Sequence, residues 1–354
     1  MIGQKGERGM SVLTTRFTEL IGIEHPIVQD GMGPFKTVKL AAAVSEAGGL
    51  GTVSIPGMSA DPAVMARVMR EHIEETASLT GKPFAVNVPV GRAEDGQILP
   101  LSQAYIRAVI DARRADSAIA RQLTVLTTSA GFPGEFRPMI ADSGLIHMHK
   151  IGSTRQALKA ERLGVDVVIA SGYEMGGHTH AVPMHTFVLV PNVTEAVSVP
   201  VLLSGGARDG RTLAAALCLG AAGVAMGTRF IATRDNSDWH PATARQIVEA
   251  GEGDDTIFPG VYSPARGLKS AGLTQLMELT AGGAAAAELL EYKDAAMIRA
   301  EEAGDVDSGI LPAGQVASGI RDIALVAQLV PTMAAEAATL LRQLASAVAL
   351  TTAG

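Results

Sequence analysis

The chain has 354 residues, 47% of them hydrophobic and 18% charged, an ordinary globular balance with enough apolar mass for a large core, which excludes disorder as its theme. Its net charge of −7 argues against a nucleic-acid groove or binding to an anionic membrane, while leaving room for a local basic pocket. The single cysteine, Cys218, excludes an intrachain disulfide and a two-cysteine zinc site.

No apolar run approaches the ~20 residues of a membrane span. Residues 1–10 are polar and Gly-rich, without the apolar stretch of a signal peptide, so a cytoplasmic location is expected. In chain order, eight short apolar runs follow, at 26–31, 49–54, 84–90, 123–130, 145–151, 165–172, 199–206 and 223–230. Most are near-continuous, as parallel strands buried on both faces should be. Helix-like segments separate them, among them 38–47, 62–79, 102–121, 154–163 and 210–219, and Gly48, Gly164 and Gly220 stand where a left-handed C-cap is wanted. Cys218 falls within the last of these segments, on an expected packing surface, and is read as core.

Eight strands each followed by a helix make a (β/α)₈ TIM barrel, an α/β fold. A doubly wound sheet would need a Gly-rich fingerprint after its first strand, and Gly31-Met32-Gly33 lacks the third glycine. Three regions are expected: the barrel over 13–235, a small helical insertion without strands over 236–307 that covers the mouth, and a segment over 308–350 that packs back on the barrel.

In this fold the site lies at the C-terminal ends of the strands, and phosphates bind at the loops after strands seven and eight. Those loops are Ser204-Gly205-Gly206 and Met226-Gly227-Thr228-Arg229. Their glycines let backbone N–H groups approach an anion, and Thr228 adds a hydroxyl. The sixth run leads through Ser171 and Gly176-Gly177 into His178, placed to act as a base over the mouth. Alternation on the fifth run sends Lys150 to the face opposite His147 and His149; pointing inward, its ammonium would stabilise an anion held at the mouth. Asn87, on the third, is costly inside a strand unless bonded.

Beyond these single positions, Thr15-Arg16-Phe17-Thr18-Glu19-Leu20, Gln29-Asp30-Gly31-Met32, Ala47-Gly48-Gly49-Leu50-Gly51, Lys82-Pro83-Phe84-Ala85-Val86-Asn87, Gly176-Gly177-His178, Ser204-Gly205-Gly206, Met226-Gly227-Thr228-Arg229-Phe230 and Ala313-Gly314-Gln315 occur in order. Together they resemble the nitronate monooxygenase (2-nitropropane dioxygenase) family, which includes FMN-dependent enoyl-carrier-protein reductases and NADH:quinone reductases. The resemblance implies FMN at the barrel mouth. Its phosphate would lie on Gly205, Gly206, Met226, Gly227 and Thr228, and its ring near Gly31, Met32, Asn87 and Lys150, with Ser171, Gly176 and Gln315 close by. His178 matches the family's active-site histidine. Typical monooxygenases read Gly-Gly-His-Arg-Gly, whereas this chain has Gly177-His178-Thr179-His180; they often carry Gln at Ser171, where enoyl reductases tend to have Glu. His149-Lys150 and the run 157–166 look more like the quinone-reductase branch.

The expected function is therefore an FMN-dependent oxidoreductase, first a nitronate monooxygenase using O₂. The alternative is an NAD(P)H-dependent quinone or enoyl-thioester reductase or dehydrogenase, in which Arg266 would meet a nucleotide or CoA phosphate. A metal-dependent barrel hydrolase using His147, His149, His178, His180 and His185 is a remote third. It lacks a carboxylate ligand at the end of the eighth strand, so no metal site is assigned. A small-molecule substrate is expected, with no nucleic-acid or membrane partner and room for a homodimer.

Overall fold

Strands that are apolar on both faces need a layer on each side, and the chain supplies it by alternating them with helices. The computed structural model describes residues 13–57, 61–92, 96–180, 182–260 and 263–351; the polar start lies outside them. The strands are β1 (Ile27–Gln29), β2 (Gly51–Val53), β3 (Phe84–Pro89), β4 (Leu123–Ser129), β5 (Ile146–Ile151), β6 (Val167–Ser171), the short β7 (Gly177–His178), β8 (Val201–Ser204) and β9 (Gly223–Met226). All but β7 form one parallel sheet in the order β1-β9-β8-β6-β5-β4-β3-β2. It curls round until β1 meets β2, where Val28 bridges Leu50 and the two strands exchange backbone bonds of 2.9 and 3.0 Å. The expected barrel is the fold observed.

The seam between β1 and β2 is thin, and a side chain completes it. Gln29 is fully buried; its Oε1 accepts from the Thr52 N–H at 2.8 Å, taking the place of a missing ladder bond. Inside, alternation divides the barrel into two storeys. Val28, Leu50, Ala85, Val125, Met148, Val167, Ile169, Leu202 and Ala225 form an apolar plug. Two residues further along their strands, the same inward parity brings Asp30, Asn87, Lys150, Ser171 and Ser204 to the mouth.

The helix 62–79 is observed as read, and Gly48, Gly164 and Gly220 take φ of 85°, 86° and 88°. The segment 102–121 is two helices, Pro100–Ala115 and Ser117–Gln122. Asp116 divides them, its carboxylate accepting from the Ala118 and Ile119 N–H groups. The eighth run stops as a strand at Met226, and Thr228–Ile231 is already a helical turn. Cys218 is exposed, not core: it is the last residue of its helix, one turn past the buried Ala214.

The insertion departs most from expectation, because it holds two strands, β10 (Asp255–Phe258) and β11 (Ala265–Leu268). These pair antiparallel with each other, and β11 pairs with β7. Four-residue strands carrying Asp255, Arg266 and Gly267 show too little alternation to be read from sequence. The C-terminal helix Val326–Thr351 packs on Gly210–Cys218 and Val38–Glu46. Gly210 allows this approach, since a Cβ there would lie 2.3 Å from that of Glu336.

Candidate active site

Asp30 lies at the centre of the mouth. Its backbone N–H extends the β1–β9 pairing to Met226 O at 2.9 Å, turning the carboxylate inward. There it pairs with Lys150 Nζ at 2.7 Å and accepts from the Gly31 N–H at 2.9 Å and Ser204 Oγ at 3.3 Å. Lys150 thus points inward, but the sequence reading gave it no partner. The signal was available: Asp30 shares the parity of Val28.

Around this pair lie polar atoms with no partner. Asn87 Oδ1 and Ser171 Oγ are buried and unbonded, on β3 and at the end of β6. Gly31 lies flush against Asn87, where a Cβ would come within 2.5 Å of the Asn87 side chain. Met32 is fixed through its N–H to Ser54 Oγ at 2.8 Å, and its side chain faces Gly227.

In the loop after β8, Gly205 and Gly206 have φ of 100° and 85°, in the left-handed region that favours glycine. Nothing lies within 4 Å of where a Gly206 Cβ would stand, so its backbone borders open space. Gly227 opens the turn Thr228–Ile231, and Met226 is buried beneath it. Thr228 Oγ1 accepts from the Gly314 N–H at 2.9 Å, tying this loop to the segment that carries Gln315. The Gln315 N–H donates to Glu174 O at 3.0 Å, while its side chain is exposed. Gly176 packs against the Ala313–Gly314 backbone with no room for a Cβ. Glu174, which the sequence reading missed, joins the loops: its carboxylate takes the Thr186 N–H at 3.0 Å and the Thr186 hydroxyl at 2.7 Å.

The two histidines of the turn after β6 are parted. His178 pairs in β7 with Ala265 and is exposed, near Lys293 and Asp294 of the helix Ala286–Ile298. Crowding by protein atoms and the nearby Lys293 ammonium hold its pKa below the usual value, with Asp294 opposing. His180 turns instead toward β5. His147 and His149 lie on the outer face, where Thr128 Oγ1 meets His147 Nε2 and His149 Nδ1, both at 2.8 Å. Burial pulls the two down to about 3 and about 4, so both are neutral at pH 7. Among the described residues no three His, Cys, Asp or Glu converge to hold a metal ion. The hydrolase reading finds no ligand set.

Arg266 is not available to a nucleotide either. It is 2% exposed, ion-paired with Asp255, donates to Tyr173 O at 3.0 Å and lies 4.7 Å from the Tyr173 ring centroid. It clamps the start of the histidine loop. No helix among the described residues is long and apolar enough to cross a membrane.

Comparison with known proteins agrees with this architecture. The family model for nitronate monooxygenase matches residues 14–336. A Mycobacterium tuberculosis protein named (3aS,4S,5R,7aS)-5-hydroxy-7a-methyl-1-oxo-octahydro-1H-indene-4-carboxyl-CoA dehydrogenase is 39% identical over 242 residues, 68% of this chain and 61% of that relative's length. Among solved structures, FabK from Thermotoga maritima is 33% identical, with a TM-score of 0.83 over 94% of this chain and 99% of that one. The nitroalkane oxidase from Streptomyces ansochromogenes is 26% identical, with a TM-score of 0.75 over 93% and 99%. The chain belongs to the nitronate monooxygenase family of generally flavin-dependent oxidoreductases.

Proposed function

We propose that this chain is an FMN-dependent oxidoreductase acting at the barrel mouth on a carbon acid or its anion, first of all an alkyl nitronate with O₂ as acceptor. One observation carries the reading: buried, unpartnered Asn87 Oδ1 and Ser171 Oγ stand beside an inward Lys150, above an apolar plug, next to the open backbone of Gly206. Orphaned buried groups of this kind call for a ligand: the Asn87 carbonyl oxygen for an N–H or O–H donor, the Ser171 hydroxyl for a donor or an acceptor. Gly206 and Gly227 would hold a phosphate through backbone N–H groups, and Asn87 would accept from the ring. Bound FMN would supply the redox chemistry, taking electrons from the substrate and passing them to the acceptor. Lys150 would offer positive charge to an anionic substrate or ring, restrained by Asp30. His178 would meet the substrate from the rim, near Lys293 and Asp294 of the helix Ala286–Ile298.

A second reading, dehydrogenation of a CoA thioester, is favoured by the 39% identity to a relative named as a carboxyl-CoA dehydrogenase. Purified protein is expected to release FMN on heat denaturation; release of FAD would overturn the cofactor assignment. Anaerobic mixing with propionate-3-nitronate, an acyl-CoA, NADH and NADPH in turn, followed by flavin absorbance, tests the donor. Bleaching by the nitronate supports the first reading. Bleaching by the thioester alone selects the second, and bleaching by a nicotinamide alone makes the chain a reductase.

A further inference from the structure

The loop after β8 is held from behind by Thr186, the first residue of the helix Thr186–Ala196. The N-cap residue of that helix, His185, gives it no side-chain hydrogen bond. Glu174 supplies the cap from the loop after β6: its carboxylate takes both the Thr186 N–H and the Thr186 hydroxyl, which fixes where Oγ1 stands. The buried Thr186 side chain is thereby wedged between two strand ends. A Cβ built on Gly172, just past β6, would lie 1.9 Å from Thr186 Oγ1, and one on Gly205, just past β8, 3.2 Å from it. The hydroxyl is 2.7 Å from Glu174 Oε2 and 3.3 Å from Gly205 O, and it shares its single proton between them.

That contact fixes a direction. In a trans peptide the C=O and the following N–H point opposite ways, so a Gly205 carbonyl turned to Thr186 aims the Gly206 N–H away from the helix. The N–H groups of Gly206 and Gly227 have no hydrogen-bond partner among the described residues. A peptide between two glycines has little of its own to stop it turning over, so what holds it must come from outside the loop. We propose that Thr186, its rotamer set by Glu174, is a positioning residue that aims the Gly206 N–H at the phosphate of the flavin, which rests on the cofactor proposed above. An N–H already aimed gives up less freedom when the phosphate binds. Thr186 acts on this loop alone, so its contribution to binding needs the phosphate.

The experiment titrates flavin-free protein with FMN and with riboflavin, which carries the same ring without the phosphate, and follows flavin fluorescence. Wild type should bind FMN far more tightly than riboflavin. Thr186→Val, close in shape but without the hydroxyl, should weaken FMN binding ~10-fold, about the worth of one hydrogen bond, and leave riboflavin binding unchanged. Thr186→Ser keeps the hydroxyl and should bind FMN as wild type does. Thr186→Ala should repeat the FMN-selective loss and takes the place of Thr186→Val if the thermal midpoint shows that variant unfolded. Wild-type FMN affinity in Thr186→Val overturns the proposal, as does an equal loss for FMN and riboflavin, which marks a merely structural role. A Thr186→Ser variant as weak as Thr186→Val removes the hydroxyl as the agent and overturns it too. Wild-type protein that binds riboflavin as tightly as FMN would sink the phosphate assignment itself, and the proposal with it, before any variant is made.

Discussion

Lys150 and Asp30 meet at 2.7 Å with side chains 15% and 7% exposed, and Ser204 and the Gly31 N–H complete the carboxylate's shell. Removing one partner of a buried pair leaves an uncompensated charge, which costs about 3 kcal/mol or more. Lys150→Met should therefore destabilise the protein by roughly that amount in urea titration, and Asp30→Asn/Lys150→Met should recover most of it. With FMN bound, Lys150→Met should also lower the flavin reduction potential and Asp30→Asn raise it, because a nearby cation favours added electrons and an anion opposes them. Redox titration reads both. Unmoved potentials would place the ring away from the pair.

At the level of the element, Asp30, Lys150 and Ser204 tie the ends of three strands together, and the loops beyond are joined through Thr228, Gly314, Gln315 and Glu174. Gly227 gives a clean test of the phosphate position. Its φ of −104° suits any residue, and a Cβ there would meet only the Met32 side chain at 3.6 Å, an ordinary contact. Gly227→Ala should keep the fold, yet weaken FMN binding at least ~10-fold, about 1.4 kcal/mol, if a phosphate needs that backbone. Unchanged affinity by fluorescence titration would move the phosphate elsewhere. Gly206 could not serve this purpose, since its positive φ would add strain unrelated to any ligand.

Across the whole molecule, the segment after the barrel strands builds a core from Trp239, Ile247 of the helix Pro241–Glu249, and Met297, and the turn Arg299–Ala303 packs on that helix. Glu301 is 2% exposed there, with Oε2 unpaired, and the His240 N–H donates to its backbone O at 2.7 Å. Burial, and then Glu302, raise its carboxyl well above the usual 4.5. The folded state therefore holds a proton that the unfolded chain gives up. The stability so gained is complete below the unfolded pKa and is lost as pH rises toward the folded one, at about 1.4 kcal/mol per unit. Glu301→Gln should abolish this slope, so that its advantage in thermal midpoint over wild type widens from pH 5 to pH 8. Parallel curves would show that the carboxyl is already charged in the folded protein.

The barrel was legible in the sequence because each strand is a separate apolar run closed by glycine, and that local pattern needs no long-range information. The loops Ser204-Gly205-Gly206 and Met226-Gly227-Thr228, and the inward turn of Lys150, could be read for the same reason, from position along a strand and its parity. β10 and β11 could not, since four residues carrying a buried Arg266–Asp255 pair look like a polar loop until the partner strand is in place. Cys218 was misjudged because a periodic pattern does not say where the neighbouring helix stops. How the side chains of His178 and His180 part was also beyond the sequence. Two histidines two residues apart differ only in what surrounds them: the bare Cα of Gly152, just past β5 and 28 residues from His180, receives the His180 ring, while His178 pairs with Ala265. Chain order set the elements; the pairing of distant groups, Asp30 with Lys150 and Gly152 with His180, came from the fold, because burial and charge act through space.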